Sequence, residues 1–129
     1  MDELKRYRRR KNATVVAVQI DLETDGFTYQ KWGDVQVARA GDWLVNNNGS
    51  VYTIDSRVFE RTYSEISLGL YEKTTLTWAR VAKSDGQVKS TSGFTNYQAG
   101  DMIAFNSTDE NDGWAMSPKE FERLYEPDE

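Results

Sequence analysis

The 129-residue chain has no cysteine and no histidine. That excludes disulfides, thiolate metal sites, thiol nucleophiles and the Ser-His-Asp triad, and leaves carboxylates, Lys or Tyr for any acid–base work. The net charge of −5 is uneven: residues 1–12 hold six basic and two acidic side chains (+4), so the remainder carries −9, a body that repels nucleic acid behind an arm that attracts it.

The N-terminal run through Arg8, Arg9, Arg10 and Lys11 reads as a basic arm, and residues 1–6 as a frayed tail. Residues 14–20 are β-branched and apolar, the pattern of a strand. Asp25-Gly26 marks a turn. Phe27, Tyr29 and Trp32 then cluster with Lys31 in a polar loop, free to stack on a base, a sugar or a partner, or to fold back as a lid. Val35-Gln36-Val37 alternates as a short strand. Trp43-Leu44-Val45 and Val51-Tyr52-Thr53-Ile54 flank an Asn-rich turn ending in Gly49, a hairpin signal. Asp55 is an N-cap for a two-turn helix bearing Val58, Phe59 and Tyr63. Residues 64–74 read as a joint.

The same order then repeats. Residues 76–82 form a strand, Ser84-Asp85-Gly86 a turn and Gln87-Val88-Lys89 a short strand. Met102-Ile103-Ala104-Phe105 and Trp114-Ala115-Met116 flank a long polar turn. Ser117-Pro118 with Glu120 predicts a capped helix closed by a capping box, with Phe121, Leu124 and Tyr125 on its apolar side. Residues 126–129 read as a tail.

Two pairs of matching segments make the repetition explicit. Ala40-Gly41-Asp42 and Ala99-Gly100-Asp101 lie 59 residues apart, and Phe59-Glu60-Arg61-Thr62-Tyr63 and Phe121-Glu122-Arg123-Leu124-Tyr125 lie 62 apart. At offset 62, Ala17 falls on Ala79, Tyr52 on Trp114 and Lys11 on Lys73. The prediction is a mostly β, internally duplicated protein of antiparallel units, each with a short capping helix, in pseudo-twofold arrangement. The repeats span about 7–65 and 66–129, with a basic arm at 1–12, in one domain. One shared barrel and two packed half-barrels both fit. Units of about 60 residues would be marginal alone, so a shared core is expected.

Candidate functional residues follow from this symmetry. Asp42 and Asp101 are either a carboxylate pair across the pseudo-twofold or turn-forming caps. Arg61 and Arg123 are either surface ion-pair partners or bridges between halves. The acidic turn at 109–113 only faintly resembles a calcium loop, since Trp114 stands where the loop needs Gly. No phosphate loop, nucleophile elbow or zinc spacing occurs, so neither a metal nor a cofactor is expected.

The segments GDWLVNNNGSVYTIDSRVFERTY and, more loosely, GDMIAFNSTDENDGWAMSPKEFERLY resemble a small bacterial and phage domain known by its PGDYG-like signature. The upstream YRRRKNATVVAVQ is similar to the basic strand that often opens such proteins. Ala40 and Ala99 replace the expected Pro, and Met102 the aromatic. The resemblance implies the fold unit and a bacterial or phage source, with no residue roles, because the family is largely uncharacterised.

The leading functional expectation is a non-catalytic binding module for a protein partner or small ligand. It would use the seam between the repeats or the Phe27–Trp32 loop, with Asp42, Asp101, Trp32, Tyr29, Phe27, Arg61 and Arg123 as candidate contacts. One alternative is a carboxylate-dependent hydrolase of a nucleotide or sugar. Another is weak nucleic-acid binding through Arg8, Arg9 and Arg10. With no apolar run near the roughly 18 residues of a membrane helix and no signal-peptide pattern, a cytoplasmic monomer is expected.

Overall fold

The computed structural model describes residues 3–128. Alternating apolar and polar residues give mostly β-structure, and the sheets fall into two sets. The first half contributes β2 (Val15–Gln19), β3 (Phe27–Lys31), β4 (Asp34–Ala38), β5 (Trp43–Asn47), β6 (Ser50–Ile54), α1 (Ser56–Thr62) and β7 (Tyr63–Ser67). The second contributes β9 (Thr77–Val81), β10 (Gly86–Lys89), β11 (Phe94–Tyr97), β12 (Met102–Phe105), β13 (Gly113–Met116), α2 (Pro118–Leu124) and β14 (Tyr125–Pro127). Two further strands, β1 (Lys5–Arg9) and β8 (Leu70–Lys73), open the two series.

One five-stranded sheet runs β6-β5-β2-β8-β7 and the other β13-β12-β9-β1-β14. The orders correspond strand for strand, and so do the registers. Tyr71 faces Val15 as Tyr7 faces Thr77, and Lys73 faces Tyr63 as Arg9 faces Tyr125. Val45 faces Tyr52 as Ala104 faces Trp114. Both sheets are open; neither closes into a barrel.

The opening strands are exchanged. With the chain divided at the predicted boundary near residue 65, β1 pairs only with β9 and β14 of the second half, and β8 only with β2 and β7 of the first. Residues 5–9 of the expected basic arm and frayed tail are therefore a strand in the second sheet, and residues 126 and 127 of the expected C-terminal tail belong to its edge neighbour β14; residues 1, 2 and 129 of those tails lie outside the described residues. The expected joint is the β7–β8 hairpin. Arg9, and not Lys11, occupies the place of Lys73.

Each helix lies on the inner face of its sheet. Phe59 is stacked between Trp43 and Tyr63, with ring centroids 4.4 and 4.7 Å away, and meets Tyr71 edge-on at 5.1 Å. Phe121 stacks on Tyr125 at 4.8 Å and meets Tyr7 edge-on at 4.8 Å. Val15, Ala17 and Val45 complete one core; Ala79, Met102, Ala104 and Leu124 complete the other.

The N-caps are as predicted. Asp55 Oδ1 accepts from the amides of Arg57 and Val58, and Ser117 Oγ from that of Glu120. The capping box is only half made, because the Glu120 carboxylate turns to Arg123 at 2.6 and 3.1 Å.

The stretch from Phe27 is a strand, not a loop. Its hairpin with β4 turns at Trp32-Gly33, both at positive φ (57° and 81°), as the β5–β6 hairpin turns at Asn48-Gly49 (52° and 95°). Hairpin β3–β4 docks on hairpin β10–β11. Gln36 bridges to Gly93, Val37 N donates to Ser92 O, and Asn96 N donates to Trp32 O. Gly93 is required there: a Cβ would lie 2.5 Å from the Val35 carbonyl oxygen.

Candidate functional site

Where the two halves meet, a cavity of about 110 Å³ is lined by residues of both. Its centre is set by the exchanged strands. Arg9 ends β1 and Lys73 ends β8, each directly opposite the tyrosine that ends a helix. Because the strands are exchanged, both cations arrive at the Tyr125 side of the seam.

Arg9 donates through Nη1 to Tyr125 Oη at 3.1 Å and through Nε to Ala13 O at 3.1 Å. Its guanidinium stands 5.2 Å from the Tyr125 ring centroid and 6.0 Å from that of Tyr63. Nη2 is shut off from solvent and has no hydrogen-bond partner. Lys73 is 7% exposed. Its ammonium donates to Thr77 Oγ1 at 2.8 Å and lies 4.5 Å from the Trp114 ring centroid and 5.6 Å from that of Tyr125. Among the described residues, neither cation lies within ion-pair distance of a carboxylate.

These charges polarise the cluster. Burial, reinforced by the Arg9 charge, holds the Lys73 ammonium below its ordinary pKa. Burial works to raise the Tyr125 phenol, but Lys73 and Arg9 outweigh it and draw it down. Tyr63 and Tyr52 are pushed up by burial.

Two acidic residues line the cavity, and both are engaged. Asp55 caps α1; Asp112 accepts from Thr91 N and Asn106 Nδ2, each at 3.2 Å. Asn106 Oδ1 is buried without a partner.

The aromatic turn reaches this site at one residue. Trp32 lines the cavity and packs on Tyr52, with centroids 5.3 Å apart at a 52° tilt. It also roofs an adjoining hollow of about 120 Å³ that shares Asn47, Tyr52, Trp114, Met116 and Leu124. Tyr29 is spent on the scaffold, its hydroxyl bonded to Thr53 Oγ1 at 2.6 Å and accepting from Thr53 N at 2.9 Å. Phe27 is half-exposed, opposite Ala38.

Arg123 bridges the halves. Its Nη2 donates to Asn47 Oδ1 at 3.1 Å, and Asn47 Nδ2 in turn donates to Tyr52 Oη at 3.2 Å. Arg61 stays on the exposed side of α1.

Asp42 and Asp101 sit in matching turns. Asp42 is buried, and its two oxygens accept from Arg39 N at 2.9 Å and Ser56 N at 3.1 Å. Asp101 accepts from Gln98 N at 2.9 Å. Neither lines the seam cavity.

Of the three arm arginines expected to contact nucleic acid, Arg8, Arg9 and Arg10, only Arg9 turns inward. Arg8 pairs with Glu126 at 2.9 Å and Asp128 at 3.6 Å, and Arg10 with Glu126 at 3.2 Å. No cluster of three or more metal-ligating side chains occurs among the described residues.

Sequence reasoning missed Lys73, Tyr125 and Trp114 as site residues. A signal existed: Tyr7-Arg8-Arg9 and Tyr71-Glu72-Lys73 are the same aromatic-x-cation pattern, 64 residues apart. Alignment at offset 62 hid it.

No protein-family model matches the chain, and neither does any curated protein or solved structure.

Proposed function

We propose that this chain is a non-catalytic binding module whose ligand site is the seam between its halves, and that the ligand is a small molecule. One observation carries the reading: a cavity built jointly by both halves holds buried polar atoms with bonding capacity unused by the protein, Arg9 Nη2 and Asn106 Oδ1. Buried polar groups without partners are uncommon and point to a missing water or ligand. The corresponding turns and helices of the two halves also fit a tandem form of the PGDYG-like domain, and with it a bacterial or phage source.

Two other readings have less support. A hydrolase built on Asp42 and Asp101 would need free carboxylates in one pocket, whereas each accepts backbone N–H groups in its own turn. Nucleic-acid binding through the arm would need free arginines, whereas Arg8 and Arg10 are already paired with acidic residues.

Native mass spectra before and after incubation with a cell extract test the proposal. A retained small mass, weakened in Trp32→Ala, is the expected result. A retained protein mass, or the bare chain in both spectra, would count against it.

A further inference from the structure

We infer that the seam cavity takes a small organic anion, its carboxylate or phosphate group at the Arg9–Lys73 end and its apolar body between Trp32 and Trp114. This rests on the reading of the seam as a small-molecule site and adds the class of ligand.

An isolated charge buried without a partner is costly, and proteins ordinarily pair it or neutralise it. Lys73 can shed its proton; Arg9 cannot, because a guanidinium stays charged throughout the working pH range. Yet Arg9 meets no carboxylate: it has the Tyr125 hydroxyl, the Ala13 carbonyl and the neutral Tyr63 and Tyr125 side chains, and its Nη2 is buried without a geometrically sound hydrogen bond. Lys73 has the Thr77 hydroxyl, the Tyr125 phenol and two aromatic faces, and no carboxylate in contact. Formal charges in the lining balance, since it holds Asp55 and Asp112 as well as the two cations. Their placement does not: both carboxylates are bonded to other groups, and Asp112 acts on Lys73 only through space.

What is missing at Arg9 is an oxyanion acceptor, the natural mate of a guanidinium fork. Asn106 Oδ1 offers an acceptor to any hydroxyl or amine on the same ligand. The space is far smaller than a drug-sized pocket of roughly 300 Å³ or more, so a molecule of about one ring fits. The hollow beneath Trp32, walled by Trp114, Met116 and Leu124, supplies the apolar end.

Three probes decide it: sodium benzoate, phenyl phosphate and neutral benzyl alcohol, titrated at constant ionic strength and followed by tryptophan fluorescence and thermal midpoint. At least one anion should bind about tenfold or more tightly than benzyl alcohol, the scale of one charge-assisted hydrogen bond. The tighter anion identifies the head group. Arg9→Gln should erase that preference, bringing the tighter anion down to the affinity of benzyl alcohol for the same variant; a preference that survives the substitution would overturn the inference. Lys73→Met, which removes a buried charge and so should fold, should reduce it.

Equal binding of all three probes would overturn the anion inference and leave the small-molecule reading standing. No binding by any probe would also overturn it; a small mass in the native spectra would then still support the broader reading. An ultraviolet phenolate band at neutral pH that disappears in Tyr125→Phe would overturn it as well, by showing that the protein supplies its own counter-charge.

Discussion

The two sheets share one frame, yet their outer faces differ. In the second half, hairpin β10–β11 lies over the sheet, and Ala82, Val88, Ile103 and Phe105 are buried beneath or within it. In the first half, hairpin β3–β4 leans towards β11 of the other half, and the outer face is left open. Val16, Val18, Leu44 and Val51 stay 56, 60, 41 and 45% exposed. A matching strand order therefore does not guarantee matching burial. The inner faces, which hold the helices and the seam, correspond closely; the outer faces depend on where each inserted hairpin docks.

The most severe way to break the correspondence is to cut it. Residues 1–65 and 66–129 made separately should each lack a cooperative unfolding transition, because each lacks the strand that the other holds. Mixing the two should restore it, as read by circular dichroism. A folded, independently melting fragment would refute the exchange of β1 and β8.

Next in size are the two helix anchors. Phe59→Ala and Phe121→Ala should each cost about 3–5 kcal/mol in urea unfolding. Near-equal losses would sharpen the equivalence of the two inner faces, since both rings are almost fully buried.

The turns should separate the halves. Asp42→Ala should cost about 1–3 kcal/mol, because its buried carboxylate holds two part-buried amides, and Asp101→Ala about 0.5–1 kcal/mol for a single, more exposed bond. Equal losses would remove the distinction.

A pH titration tests the paired cations. The Lys73 ammonium titrates below its ordinary value of 10.5 in the folded protein, so across the interval up to that value the unfolded chain binds more protons. Lys73 should therefore make stability rise with pH up to about 10, where the raised phenols of Tyr52 and Tyr63 begin to act in the opposite direction. The lowered Tyr125 phenol acts in the same direction as Lys73. Lys73→Met should flatten the slope in thermal melts taken from neutral to alkaline pH; an unchanged slope would place the titration elsewhere.

The smallest effect belongs to the outward side of β1. Arg8→Ala should cost about 0–1 kcal/mol, as expected of an exposed ion pair, and less at high salt.

Much of this fold was legible locally. The strand at β2 and its counterpart at β9 showed as β-branched, apolar runs. The hairpins showed in Asn48-Gly49 and in the polar stretch before Trp114, and the helices in Asp55 and Ser117. Strand β3 was missed although Phe27-Thr28-Tyr29-Gln30 alternates, because it is short and its aromatics sit among polar residues. Strands β1, β7, β8 and β14 were missed because charge and short length read as arm, joint and tail.

Local chemistry determined element type where periodicity, turn residues and caps coincide within a few residues, as at β2, β9, the Asn48-Gly49 hairpin and both helices. Pairing and burial are long-range. Nothing near Arg9 announces that it will lie against Tyr125, 116 residues away, or that Lys73 will join it from the opposite sheet. The exchange of β1 and β8 decides both, because a strand's partners depend on which edge and which apolar face are left to cover. The sequence by itself determined a β-rich frame with short capped helices; the tertiary structure alone placed two cations within it.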